Sequence, residues 1–541
     1  MKRSLVLALF LFLANLARAD DTTKLATLSG TVVKEPGSQP LKKVLLHLVA
    51  EDQQQGGNYT ADTDSEGRFL FEKVEPGRYR LLLEKSGFHA VNLRGHPSEG
   101  SILSVRAGQE INDLLFQMLQ SAVIAGRVVD EDGDPLPGYG VSLLKKRPGK
   151  SREPEIAGDE RTNDRGEYRF SGLFPGQYMI AVVPPPDIRN FAHANKDSPD
   201  TARKPDLAYL TTYYPGTSDS AQASAIDLHA GDELPINFSL VPSRSYRIRG
   251  IVTGIPANQK PMVQLISRGV NQTMNGADIA ADGQFEIRGV APGSYLIEAF
   301  AGMEAQSLTA REPVSVVAAD VEGLKLTPVR PFTVSGLLRF DAPSRKDITQ
   351  CSVYLRALDD NDLTSGVSAS SMTQVDRFGN FQWTGVNPGT YVAHFSAEGN
   401  PDLFLKYVRV GASNMDAGFS LTGPASVELV LSPKGGMLEG VVLDNDKPAS
   451  NATVVAVPEE KYRKIHERFG VVSTDQNGHF TIRGLAPGSY TVFAWQDLDD
   501  GLYYDAGFLK SQESNSAPLK VEEGSRQKME LKLSTMGEEW Q

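Results

Sequence analysis

Few of the side chains that could do chemistry in this 541-residue chain stand at a spacing that chemistry would need. His96-Pro-Ser-Glu99 has the H-x-x-E spacing of zinc peptidases, with His193 or His229 as a third ligand that would leave one metal position open to water. The match contains a proline and falls between strand-like segments, and four-residue matches arise easily by chance, so no zinc site is expected there. Asp130-Glu131-Asp132-Gly133-Asp134 places oxygen donors at alternate positions, as a hard cation prefers. Its glycine comes too early for a calcium-binding helix-loop-helix, and Asp-Gly is a common turn signal, so a plain turn is expected. Cys351 is the only cysteine, which excludes an intramolecular disulfide and a cysteine-ligated metal cluster; it reads as a small buried hydrophobe opening the strand Cys351-Ser-Val-Tyr-Leu355. There is no G-x-S-x-G elbow and no P-loop. The expectation is a chain with no catalytic residue, no metal and no cofactor.

Binding is better served by the aromatic residues. A segment of roughly 40 residues, Pro184 to Ala225, exceeds ordinary loop length and carries Tyr209-Leu-Thr-Thr-Tyr213-Tyr214-Pro-Gly216. Tyr209, Tyr213 and Tyr214 are the candidate ligand-binding residues, because aromatic faces stack on sugar rings while hydroxyls satisfy polar edges. The alternative is that these tyrosines only fasten the loop to its own domain. Near the C-terminus lie a short helical insert, Glu459 to Phe469, and a second aromatic loop, Tyr503-Tyr504 with Phe508. His394 and His479 sit inside strand patterns and are expected to be packed or exposed, not ligating.

The elements that must position these residues come from an internal repeat. One block recurs without a gap: Gly67, Phe69, Phe71, Val74, Pro76, Gly77, Tyr79; then Gly166, Tyr168, Phe170, Leu173, Pro175, Gly176, Tyr178. The third copy is Gly283, Phe285, Ile287, Val290, Pro292, Gly293, Tyr295, and the fourth Gly379, Phe381, Trp383, Val386, Pro388, Gly389, Tyr391. Gly478, Phe480, Ile482, Leu485, Pro487, Gly488 and Tyr490 complete it. Residues two apart share a strand face, so Phe69 and Phe71 look into a core, and the Pro-Gly pair turns the chain into a second alternating strand, a pattern that predicts a hairpin. Upstream of each block is a strand opening with glycine, at Gly30, Gly126, Gly250, Gly336 and Gly440, and downstream a closing strand such as Ile111–Phe116. About seven short strands per unit predict a two-sheet sandwich. The expected class is all-β, with five tandem immunoglobulin-like Greek-key β-sandwich modules at 26–120, 121–242, 243–330, 331–432 and 433–535, and a tail at 536–541. Short connections predict an elongated, semi-rigid array, on the order of 150 Å at about six residues per strand plus loops.

Composition fits, since 40% hydrophobic residues suffice for several cores while 50 Gly and 32 Pro supply turns. Lys2 and Arg3 precede the apolar run Leu5–Leu13 and Ala17-Arg-Ala19, which predicts a signal peptide over 1–19 and a secreted product, periplasmic or extracellular, with no membrane insertion after cleavage. A formal charge of −12 offers no basic face to a phosphate backbone, so nucleic acid is not an expected partner.

Gly126-Arg-Val-Val129, the acidic turn Asp130–Gly138 and the block ending Pro-Gly-x-Tyr resemble the carboxypeptidase regulatory-like domain, within the wider carbohydrate-binding-like and collagen-adhesin B-type sandwich group. The resemblance implies a prealbumin-like sandwich used as an accessory or repeat module in exported bacterial proteins. It does not imply peptidase activity, which belongs to a separate catalytic domain. Collagen-adhesin B-type domains often carry a Lys-Asn isopeptide bond promoted by a glutamate four residues past the strand tyrosine. Here those positions are Leu83, Val182, Ala299, Phe395 and Ala494, so no cross-link is expected. The implied function is a non-enzymatic binding or scaffold protein with polysaccharide or a cell-envelope protein as partner. A spacer or adhesin rod, or an accessory subunit of an outer-membrane transport or polysaccharide-degradation system, is the alternative.

Overall fold

The computed structural model describes residues 24–534 apart from 52–56, 92–97, 99, 146–153, 186–206, 257–258, 260, 268–272, 303–307, 342–350, 359–371, 398–399, 497 and 500. The signal-peptide reading at 1–19, the tail at 536–541, and His96, Glu99 and His193 lie outside the described residues. Among the described residues 61% are in strands and 5% in helices, so the fold is all-β.

In the first unit, the opening strand Ala26–Glu35 runs antiparallel to Arg68–Val74 and parallel to the closing strand Glu110–Gln120. Facing it, a second sheet has the order Tyr59–Asp62, Leu45–Ala50, Gly77–Glu84, Ser101–Val105. A parallel pair formed by the first and last strands of a unit, with antiparallel strands between them, marks a Greek-key sandwich and not a meander. The plan repeats: Ala122–Val129, Tyr246–Val252, Phe332–Phe340 and Gly436–Asp444 pair antiparallel with Glu167–Leu173, Gln284–Val290, Asn380–Val386 and His479–Leu485.

The repeated block is not a hairpin. Arg68–Val74 belongs to the first sheet and Gly77–Glu84 to the second, and the same split holds in the other four copies, so the Pro-Gly turn carries the chain across the sandwich. Phe69 and Phe71 therefore enter the core from one sheet, and Tyr79 and Leu81 meet them from the other. The tyrosine closes this corner. Its hydroxyl donates to the carbonyl four residues upstream in every copy: Tyr79 to Glu75 at 2.7 Å, Tyr178 to Phe174 at 2.8 Å, Tyr295 to Ala291 at 2.9 Å, Tyr391 to Asn387 at 2.7 Å and Tyr490 to Ala486 at 2.8 Å. A buried hydroxyl must find a partner, and the nearest free acceptors are the carbonyls of the turn itself.

The opening glycine has an equally local cause. A Cβ on Gly440 would lie 2.1 Å from the Met529 carbonyl oxygen and 2.6 Å from the Phe480 ring, so the parallel partner and the first block aromatic both need its bare backbone. Five separate apolar cores result, drawn from residues 26–118, 122–240, 246–326, 334–431 and 438–531.

The units follow one another in tandem, but the array is curled and not straight. Ser104 Oγ donates to Asp475 Oδ2 at 2.7 Å, and Asn451 Nδ2 donates to Ser101 Oγ at 3.2 Å, so the first unit touches the fifth. A short connection limits hinge motion at a joint, but nothing in shortness alone makes successive angles cancel into a rod.

Candidate functional site

The three tyrosines proposed to stack on a ligand are placed differently from one another. Tyr213 is buried among Leu144, Ala181 and Val183 on the outer side of its sheet, paired in register with Ala181, so its ring is not open to a sugar face. That corrects its assignment: alternation along Gly176–Val183 leaves Ala181 and Val183 facing away from the core, and Tyr213 covers them. Tyr214 and Tyr209 are half-buried against the second core. Tyr214 meets Phe238 edge-on at 6.3 Å, and Tyr209 meets Tyr139 edge-on at 6.3 Å while donating to Glu131 Oε2 at 2.8 Å, which pushes its phenol up to about 12. The acidic stretch beside it is a turn, for Asp130 Oδ1 accepts from the backbone N–H of Asp132 and Asp134. No group of three or more metal-ligating side chains gathers among the described residues.

A richer constellation lies between the fourth and fifth units. The insert Glu459–Phe469 forms two single 3-10 turns, Glu460–Tyr462 and His466–Arg468, and spreads over the outer face of the fourth unit's second sheet. Tyr462 and Ile465 bury themselves against Val392 there. Tyr462 also donates to the Asp416 carboxylate, and its ring lies under the Arg468 guanidinium at 4.3 Å. Arg356 donates to the Lys464 carbonyl at 2.7 Å. From behind, Tyr504 stacks on His466 at 3.8 Å, while Tyr503 and Phe508 join Trp495 in a second apolar cluster. The two aromatic features of the C-terminal sequence thus form one layered support.

Beneath this insert is a cavity of about 270 Å³ between the two units, with His394, Asp416, Glu467, Arg468 and Arg483 on its wall. His394 is 2% exposed, stacks on Tyr354 at 4.6 Å, and holds Nδ1 2.6 Å from Glu467 Oε1, out of line for an ideal hydrogen bond. Burial pushes the Glu467 carboxyl up, but its contact with His394 and that ring's charge outweigh burial and hold it below the ordinary carboxylate range. Arg483 takes both oxygens of Asp402 at 2.8 Å, and Lys406 bridges Asp341 at 2.8 Å and Glu523 at 3.1 Å. The charged groups here pair across the boundary: His394, Asp402 and Lys406 from one unit meet Glu467, Arg483 and Glu523 from the next. Chemically the site is a joint between the two units.

Sequence reasoning found the insert but not what it covers. The readable signal was Val392, an apolar residue on the strand face opposite Tyr391 and Ala393, beside His394.

Residues 27–117 and 123–185 match the carboxypeptidase regulatory-like domain. Colossin-A of Dictyostelium discoideum is 23% identical over 288 residues, 46% of this chain, and the chain spans about 2% of the length of that relative. Among solved structures, GBS52, the minor pilin of Streptococcus agalactiae, is 15% identical with a TM-score of 0.21, covering 43% of this chain and all of the pilin. BcpA, the major pilin subunit of Bacillus cereus, is 10% identical with a TM-score of 0.15, covering 76% of this chain and 99% of the pilin.

Proposed function

We propose that this chain, whose first two units are carboxypeptidase regulatory-like domains, is a non-enzymatic scaffold of the cell exterior, built of five modules bounded at 26–120, 121–242, 243–330, 331–432 and 433–535. The observation that supports this reading is the joint between the fourth and fifth modules, where side chains that could have served a ligand pair with each other across the boundary. Such pairing fixes the relative position of two bodies that each have their own core. It is what presentation of a surface in a set geometry requires. A spacer needs its ends apart, and the contact of the first module with the fifth makes that alternative the poorer one.

Polysaccharide or a cell-envelope protein is the partner class, with the half-buried rings of Tyr209 and Tyr214 as the available aromatic faces. No helix among the described residues is long and apolar enough to cross a membrane. The test is a pull-down of the chain from Asp20 on a panel of insoluble polysaccharides, with mass spectrometry of the bound material. Retention of a chemically unchanged glycan supports the reading; release of cleaved products from it contradicts a non-enzymatic role.

A further inference from the structure

The contact between first and fifth modules is built from features that the repeat elsewhere leaves exposed. In each module a turn precedes the block glycine, and its first residue is exposed as Asp64, Asn163 and Asp376 in the first, second and fourth. The equivalent Asp475 is 2% exposed. Its Oδ1 accepts from the N–H groups of Asn477 and His479, as Asp64 does from Glu66 and Arg68, and only its second oxygen reaches Ser104. The turn occupies one oxygen of the aspartate, and the fifth module uses the spare one.

The other half is the edge strand Ser101–Val105. Leu103 pairs with the corner Tyr79, and at the same register lie Ile226, Val314, Phe419 and Leu519. One residue on, Asp227, Ser315, Ser420 and Lys520 are exposed, whereas Ser104 is half-buried. One residue back, Pro313 and Pro518 are exposed, whereas Ile102 is 2% exposed though it stands outside its own module's core. The Gln476 side-chain amide completes the edge as a peptide group would: its Oε1 accepts from the Ser104 N–H at 3.0 Å and its Nε2 donates to the Ser104 carbonyl at 2.9 Å. An edge strand left open offers such groups to any matching chain.

None of these contacts depends on the two halves belonging to one molecule, for more than three hundred residues separate Ser104 from Asp475. We infer that the edge strand Ser101–Val105 and the turn Asp475–Gly478 are two halves of an interface that a second copy of this chain can complete, giving a closed reciprocal dimer. Each first module would then seat on the partner's fifth. Tethering keeps the intramolecular contact at a high effective concentration, so exchange requires that contact to be opened. This goes beyond the scaffold reading and does not depend on any ligand.

Two full-length variants separate the possibilities. Ile102→Asp places a charge in the buried half on the first module. Gln476→Glu keeps the shape of the turn but sets a second carboxylate beside Asp475 and against the Ser104 carbonyl. Each variant alone should be monomeric with a larger radius of gyration than wild type, and an equimolar mixture, in which the only intact pair of halves lies on different chains, should double in mass by light scattering. Ser104→Pro, which removes the edge N–H, repeats the first arm should Ile102→Asp lower the melting temperature. A mixture that stays monomeric while its components are open overturns the inference. So does a wild-type radius of gyration in either variant alone.

Discussion

The corner tyrosine should carry a cost that separates its ring from its hydroxyl. Tyr490 is 5% exposed, packs in the fifth core and donates to Ala486, whose residue is 6% exposed. In Tyr490→Phe the ring stays and the Ala486 carbonyl loses its partner in a place water does not reach, which costs about 1–3 kcal/mol. Tyr490→Ala also empties the core and should cost about 3–5 kcal/mol. Alkali probes the same bond. Burial pushes the Tyr490 phenol up to about 12, above its ordinary value near 10, so the neutral form is favoured by folding. The stabilisation is therefore complete below pH 10 and is lost as pH rises through about 12; a shift of this size is worth about 3 kcal/mol, in the range set by the hydrogen bond and burial together. Hydrogen exchange of the return strand Gly488–Trp495 in the whole chain reads both, each tenfold acceleration being about 1.4 kcal/mol. Exchange in Tyr490→Phe indistinguishable from wild type would mean that the hydroxyl bond does not hold the corner.

Other consequences follow at the joint and the repeat. The depressed Glu467 carboxyl stabilises the joint above the ordinary carboxylate range, and this is lost as pH falls through its lowered value; Glu467→Gln should flatten the acid dependence of exchange over 459–469. Gly440→Ala, whose methyl would meet the Met529 carbonyl at 2.1 Å, should destabilise the fifth module by about 1–3 kcal/mol or more in denaturant titration, whereas an unchanged midpoint would contradict the close approach. Tyr213→Ala should destabilise the second module by about 3–5 kcal/mol with glycan retention unchanged, whereas Tyr209→Ala, which removes a proposed binding ring, should lower glycan retention at a smaller cost in stability.

The alternation of Phe69 with Phe71 and of Tyr79 with Leu81 revealed strands and their core faces, because side-chain direction is a period-2 property of the backbone. It did not reveal which sheet each strand joins. A Pro-Gly turn serves a hairpin and a crossing corner alike, and only the pairing of Phe69 with Gly30 decides between them. Tyr213 was singled out by type, but its burial depends on Ala181 and Val183 facing outward some thirty residues earlier. The joint was legible only as an insert of unknown purpose. His394 and Glu467 lie 73 residues apart, and no local pattern announces that pairing. Ile102 is the plainest case, an ordinary strand residue in sequence that is buried outside its own core, between Ser101 and Ser104, which meet a module at the far end of the chain.

That five separately cored modules curl until the first meets the fifth is tested most directly by a distance between the two. Spin labels at Arg106→Cys and Asn477→Cys, both exposed positions, leave the buried Cys351 unlabelled. At concentrations low enough to keep the chain monomeric, double electron-electron resonance should give one narrow distance below about 30 Å, less than the length of a module. A straight array of about 150 Å would place the labels beyond the reach of the method, and loss of the dipolar signal would contradict the account.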